Sequence, residues 1–118
     1  MLTDEPDFED LLECVFGITE PVAEVYHHLL EQEECTAKEL AQMLECDQSS
    51  VNRKLNTLQE QGLVTRRRNL LSVGGFAYKY EPISLQQVQE LMHETLDEWA
   101  TFMHRQIDGV EDTLEPLR

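Results

Sequence analysis

The sequence predicts a mainly helical fold with one small β-hairpin, extended by a long C-terminal helix. Three observations carry this expectation. Apolar residues recur at helical spacing through most of the chain, the period shifts toward two only between Leu63 and Glu81, and helical spacing resumes from Leu85 onward. With 118 residues, 41% hydrophobic, five Gly and four Pro, the chain is long enough for one compact core and too rich in apolar residues to stay disordered.

Phe8, Leu11, Leu12 and Val15 define a short leading helix that Gly17 ends. Thr19 is placed to cap a second helix, with Glu20 and Pro21 in its first turn and Val22, Val25, Tyr26, Leu29 and Leu30 as its buried stripe. The acidic run at 31–34 interrupts that pattern. Thr36 and Glu39 then form a capping box, opening a short helix to about Glu45 that buries Leu40, Ala41 and Leu44. After the turn Glu45-Cys46-Asp47, Asp47 caps a third core helix running to Gly62, with Val51, Leu55 and Leu58 inward.

Residues 63–68 read as one strand and residues 76–81 as a second, joined by a loop containing Gly74-Gly75 and stopped by Pro82. Ser84 and Gln87 signal the start of the longest helix. Its apolar positions Leu85, Val88, Met92, Leu96, Trp99, Met103, Ile107, Val110 and Leu114 repeat over eleven residues, which keeps one stripe on one face of a nearly straight helix. Gly109 and Pro116 predict fraying toward its end. Such a stripe exceeds what a small core can cover, so pairing with a second copy is expected, with Leu85, Val88, Met92, Leu96, Trp99, Met103 and Ile107 as the dimerisation residues. The expected division is residues 1–83 for a compact domain and 84–118 for the dimerisation helix.

Helix, short helix, three-residue turn, helix and hairpin, in that order, are the parts of a winged helix-turn-helix. Such a fold must hold one side of its recognition helix and present the other to a DNA groove. Ser49, Asn52, Arg53 and Asn56 lie opposite the buried side, where Asn suits the edge of adenine and Arg that of guanine. Ser50 belongs to the same turn. Gln48, Thr36 and Lys38 sit at helix starts suited to phosphate. Arg66, Arg67, Arg68 and Lys79 lie on the hairpin, where a wing would touch backbone or minor groove and add affinity rather than sequence choice.

The charge distribution supports this reading. The net charge is −15, yet residues 48–80 carry six basic residues against the single acid Glu60, a local balance of +5 that leaves −20 on the remaining residues. A possible anion-binding surface is thereby separated from a solubilising one. Acidity of this degree suits a protein kept soluble in concentrated salt, so a halophilic source is expected.

The run FGITEPVAEVYHHLLEQEECTAKELAQMLECDQSSVNRKLNTLQEQGLV resembles the TrmB-type winged-helix regulators of archaea. These share a glycine-hydrophobic-Thr/Ser-Glu helix start, a T-A-K-E-L-A helix and a recognition segment ending in G-L-V. The resemblance covers about residues 11–83, and similarity to the MarR-type group points the same way. It implies a DNA-binding regulator in which Ser49, Ser50, Asn52, Arg53 and Asn56 belong to the recognition helix and Arg66 to Arg68 to the wing. Full-length sugar-sensing members carry a large effector domain, which is not expected after the single long helix here. Short haloarchaeal regulators of similar layout fit both the acidity and the terminal helix, and some of this type respond to oxidants.

Other classes fit less well. No P-loop, nucleophile elbow or zinc-protease motif is present, so neither an enzyme nor a cofactor is expected. His93 and Asp97 are one helical turn apart, but His104 is too far along the axis to share their metal ion. Cys14, Cys35 and Cys46 lack CxxC spacing and are expected as small buried residues in a reducing compartment, with Cys14 the candidate redox thiol. No apolar run is long enough to span a membrane and the opening residues are acidic, so a cytoplasmic protein is expected. The alternative function is a winged helix that binds a protein of a transcription complex through its acidic surface.

Overall fold

The computed structural model describes residues 4–114. The elements run α1 (Phe8–Phe16), α2 (Glu20–Gln32), β1 (Cys35–Thr36), α3 (Ala37–Met43), α4 (Gln48–Glu60), β2 (Val64–Leu70), β3 (Phe76–Pro82), α5 (Leu85–Asp108) and α6 (Val110–Leu114). They divide into two compact units, one ending at Ser84 and the other beginning at Leu85.

In the first unit the helices start and stop where local chemistry dictates. Asp7 and Asp10 form a capping box on α1, and Gly17 closes it in the left-handed region at φ 71°, donating to the Glu13 carbonyl at 2.8 Å. A side chain at position 17 would meet no neighbour, so backbone conformation alone favours glycine there. The capping box of Thr36 and Glu39 on α3 is present, at 3.0 and 3.1 Å. Thr19 stands at the N-cap of α2 without a side-chain bond to the helix.

The core gathers Leu12, Phe16, Ile18, Tyr26, Leu29, Leu40 and the α4 seam Val51, Leu55 and Leu58, all buried. Each buried aliphatic side chain contributes roughly 1.5–3 kcal/mol. Three stripes differ in detail from expectation: Leu44, expected inside α3, is half-buried at the C-cap, where the chain has left the helix and Ala37 fills the inner side instead. On α1 the buried pair is Leu12 and Phe16 while Leu11 is exposed, and on α2 the small Ala23 lies inside while Val22 and Leu30 are only half-buried. Helix α2 also continues through Glu31 and Gln32, because solvent-facing acids cost little in a helix whose other side is held.

The expected two-stranded hairpin is a three-stranded antiparallel sheet in the order β1-β3-β2. Cys35 pairs with Tyr80 and Thr36 with Lys79, and both Cys35 and Tyr80 are buried. Two residues are too few to show a period of two, which is why β1 leaves no pattern in the sequence. Strand β2 extends to Leu70, beyond the expected Arg68, since Asn69 and Leu70 pair with Ala77 and Phe76. Conversely α3 ends at Met43 rather than Glu45, where Glu45 adopts φ 51° and the Cys46 N–H turns back to the Ala41 carbonyl at 3.0 Å.

In the second unit, α5 carries exposed Leu85, Leu96, Trp99, Phe102, Met103 and Ile107. Val88 is buried and Met92 half-buried, so those two expected dimerisation residues are not on an open stripe. The helix breaks at Gly109 and resumes as α6. The stripe therefore does not run unbroken, because glycine is the weakest helix former after proline. The Leu114 side chain and Pro116 lie outside the described residues. Among the described residues no helix is long and apolar enough to cross a membrane. The architecture is that of a winged helix-turn-helix followed by a long helix.

Tyr26 generates a test of the core. Its hydroxyl is buried without a protein hydrogen-bond partner, and burial pushes the phenol up to about 12. Above pH 10 the unfolded chain ionises this tyrosine while the folded chain does not, so its contribution to stability declines as pH rises from 10 toward about 12. Tyr26→Phe abolishes that decline. Urea unfolding of both proteins should show the variant gaining on the wild type through this window, and a constant gap between them would refute the assignment.

Candidate nucleic-acid interface

The turn between α3 and α4 fixes how α4 is presented. Asp47 stands at the N-cap in extended backbone, and its carboxylate accepts a hydrogen bond from the Ser49 hydroxyl. That bond, helped by the Ser50 and Ser49 N–H groups and the charge of Arg53, holds Asp47 below the usual carboxylate range. An ionised acid at this helix start is stabilised by the dipole. It also engages Ser49, leaving that hydroxyl less free for an outside ligand than its position on the helix suggests.

The polar side of α4 divides into two strips. Ser49, Arg53 and Asn56 are exposed on the side away from Val51, Leu55 and Leu58, whereas half-buried Asn52 and exposed Gln48 flank a cavity of about 510 Å³. The cavity is walled by Thr36 and Lys38 on one side and by Phe76 and Tyr78 of the wing on another. Among the described residues no carboxylate lines it. Ser50 is half-buried. Thr36 reaches the cavity while its hydroxyl accepts from the Glu39 N–H, and Lys38 is exposed beside it.

Register splits the basic residues of the wing into two groups. Successive side chains on a strand point to opposite faces. Arg66 and Arg68 stand opposite Tyr80 and Tyr78, on the face that carries Phe76, whereas Arg67 stands opposite Lys79 on the other face. Arg67 reaches Glu34 at 2.8 Å and Lys79 reaches the same carboxylate at 3.5 Å. The Arg67 hydrogen bond foremost, with Lys79 adding, holds Glu34 below the usual carboxylate range, so the cluster is closed at neutral pH. Sequence reasoning missed Glu34, because nothing local marks an acid 33 residues away as a partner.

Arg66 and Arg68 are held differently. The Arg66 guanidinium lies 4.1 Å from the centre of the Tyr78 ring, and that of Arg68 lies 3.8 Å from the Phe76 ring. Each leans one diagonal step past its direct partner, toward the hairpin turn. Stacking of this kind at an exposed site contributes roughly 0.5–1 kcal/mol and leaves the guanidinium edges free to donate. The alternation of Phe76, Tyr78 and Tyr80 was legible in the sequence, but the role of Phe76 and Tyr78 as platforms for arginine was not.

Two of the three cysteines depart from the expected burial. Cys35 is buried in β1, and burial, with Glu39 and Glu34 nearby, raises its thiol, while Cys14 and Cys46 are exposed. Cys14 falls on the side of α1 away from Leu12 and Phe16, and Cys46 lies in the turn before α4. Among the described residues no cluster of three or more metal-ligating side chains forms, His93, Asp97 and His104 included.

Comparison with known proteins agrees with this fold. The family described as "Sugar-specific transcriptional regulator TrmB" matches residues 12–86. Two uncharacterised proteins of Methanocaldococcus jannaschii are similar in sequence: one is 30% identical over 88% of this chain and 79% of its own, the other 36% identical over 77% and 75%. Among solved structures, a possible transcriptional regulator from Methanosarcina mazei superposes with a TM-score of 0.75 at 23% identity, covering 92% of both chains. A protein of Sulfolobus tokodaii gives 0.64 at 23% identity, over 80% of this chain and 93% of its own.

Proposed function

The chain belongs to the TrmB family of transcriptional regulators, and from that premise we propose that it is a homodimeric, sequence-specific DNA-binding regulator. Helix α4 enters the major groove and the β2–β3 wing meets backbone or minor groove. The observation that carries this reading is the acid-free cavity between α4 and the wing, with Arg66 and Arg68 on the wing's aromatic face. In a chain of net charge −15, a polyanion is the ligand that such a surface fits.

The residues take distinct roles. Asn52, Arg53 and Asn56 read base edges, with Ser49 and Ser50 beside them. Thr36, Lys38 and Gln48 meet phosphate at two helix starts. Arg66 and Arg68 supply the wing's affinity, while Arg67 and Lys79 are tied to Glu34 and act mainly by fixing the wing to the end of α2. Exposed Leu85, Leu96, Trp99, Met103 and Ile107 on α5 form the seam with a second copy. Two recognition helices then address successive major grooves about 34 Å apart.

The direct test is titration against the DNA upstream of the protein's own gene and a scrambled control, at several potassium chloride concentrations up to molar. Preference for the upstream fragment is expected, and no binding to either at any salt would refute the reading. Arg53→Ala should lose discrimination between the two fragments, whereas Arg66→Ala with Arg68→Ala should weaken both by roughly tenfold or more. Arg67→Ala should cost less than that pair, since its charge is already matched by Glu34. Equal losses from all three changes would show that the wing's two faces are not distinct.

The seam has its own test. Leu96→Asp combined with Trp99→Asp places two charges on the exposed face of α5, and sedimentation should show a monomer that remains folded. Its affinity for a two-half-site operator should fall by roughly a hundredfold or more, because the second site no longer binds intramolecularly. A variant that stays dimeric would place the seam elsewhere.

A further inference from the structure

The end of the wing is uncharged and apolar, and DNA binding as described above gives Leu70, Leu71 and Val73 no contact of their own. Leu70, Leu71, Val73 and Phe76 are all exposed, Val73 to 91% and Leu70 to 79%. The turn that carries them is held: Leu71 donates to the Gly75 carbonyl and Gly74 to that of Leu71, both at 3.1 Å. Gly74 and Gly75 have φ of 93° and 79°, values that side-chain-bearing residues rarely adopt. A short, fixed loop thus displays aliphatic side chains to water, which a free surface has no reason to do.

Its neighbours indicate what covers it. Between residues 61 and 80 there are four basic residues and no acid. Of these Arg67 and Lys79 share the one carboxylate of Glu34 on the other face, which leaves Arg66 and Arg68 here, both leaning toward the turn. Leu71 and Phe76 moreover line the same cavity as Gln48 and Asn52. A ligand lying along α4 therefore continues onto the tip without leaving that surface. An apolar point with two cations set behind it on one face of the wing, and continuous with a DNA-reading helix, matches the surface of a duplex, where phosphates border a groove floored by stacked bases.

We propose that the tip is a minor-groove wedge: Leu71 and Val73 press against one base step, partly unstack it and bend the duplex, while Arg66 and Arg68 hold the flanking phosphates. The proposal rests on the DNA-binding reading. Insertion of apolar side chains at a base step bends DNA by about 20–90°, and flexible pyrimidine–purine steps yield most easily. The tip then contributes sequence preference through deformability, at positions that α4 does not touch.

The test uses the full chain and a duplex carrying the footprinted part of the upstream fragment, labelled at both ends for energy transfer. A second duplex carries 2-aminopurine at the step under the wing. Wild type should raise end-to-end transfer and 2-aminopurine fluorescence together. The double variant Leu71→Ser, Val73→Ser changes only exposed residues; it should bind within about tenfold of wild type and produce neither signal. A wild type that binds the duplex but leaves it straight and stacked overturns the wedge while sparing DNA binding, and a wild type that binds no duplex fails the DNA-binding reading itself. Unchanged bending by the variant, together with altered sedimentation, assigns the tip to contact between copies and also overturns the wedge.

Discussion

The arrangement depends on one buried seam. Val51, Leu55 and Leu58 are withdrawn from water on one side of α4, against α2 and α3, and this alone gives the helix a side that faces outward. Truncating Leu55 or Leu58 to Ala would leave a cavity costing roughly 2–5 kcal/mol, a large share of a small domain's stability. The seam works with the turn before it. Asp47, at the N-cap in extended backbone without a side-chain capping bond, and a left-handed Glu45 set the angle at which α4 leaves α3, so the polar strips on α4 are positioned by packing rather than by their own interactions.

Charge is distributed with similar economy. A strongly acidic chain cannot bind a polyanion with its average surface, so any affinity must come from a few cations kept apart from the acids. The wing achieves this through strand alternation. One face meets Glu34, which offsets one of its two positive charges, while the other stacks its guanidinium groups on aromatic rings. The paired face ties the hairpin to the segment after α2 and so holds the stacked face beside α4.

Most of the fold was legible in the sequence because it is written in local signals. The Thr36–Glu39 capping box, Gly17 as a helix stop and the Val51-Leu55-Leu58 spacing each act within a turn or two, and each is present as read. What escaped notice depends on residues distant in sequence. Strand β1 is too short to have a period, Glu34 meets Arg67 only once the sheet has formed, and the three adjacent arginines look equivalent until register sends them to opposite faces. The expected burial held for Cys35 and failed for Cys14 and Cys46: the tendency of thiols to be buried says nothing about which side of α1 Cys14 occupies.

The smallest element has a consequence for how the protein forms. Thr36 is at once the last residue of β1, paired with Lys79, and the cap of α3. Pairing Cys35 and Thr36 with β3 closes a long loop containing α3, α4 and β2, and loop closure of that kind is slow compared with helix formation. The helices can assemble early, but the cavity between α4 and the wing exists only after this clasp shuts. Newly made chains should therefore pass through a helical species whose recognition surface is still unassembled, and binding competence should appear with the slowest folding phase rather than with helix content.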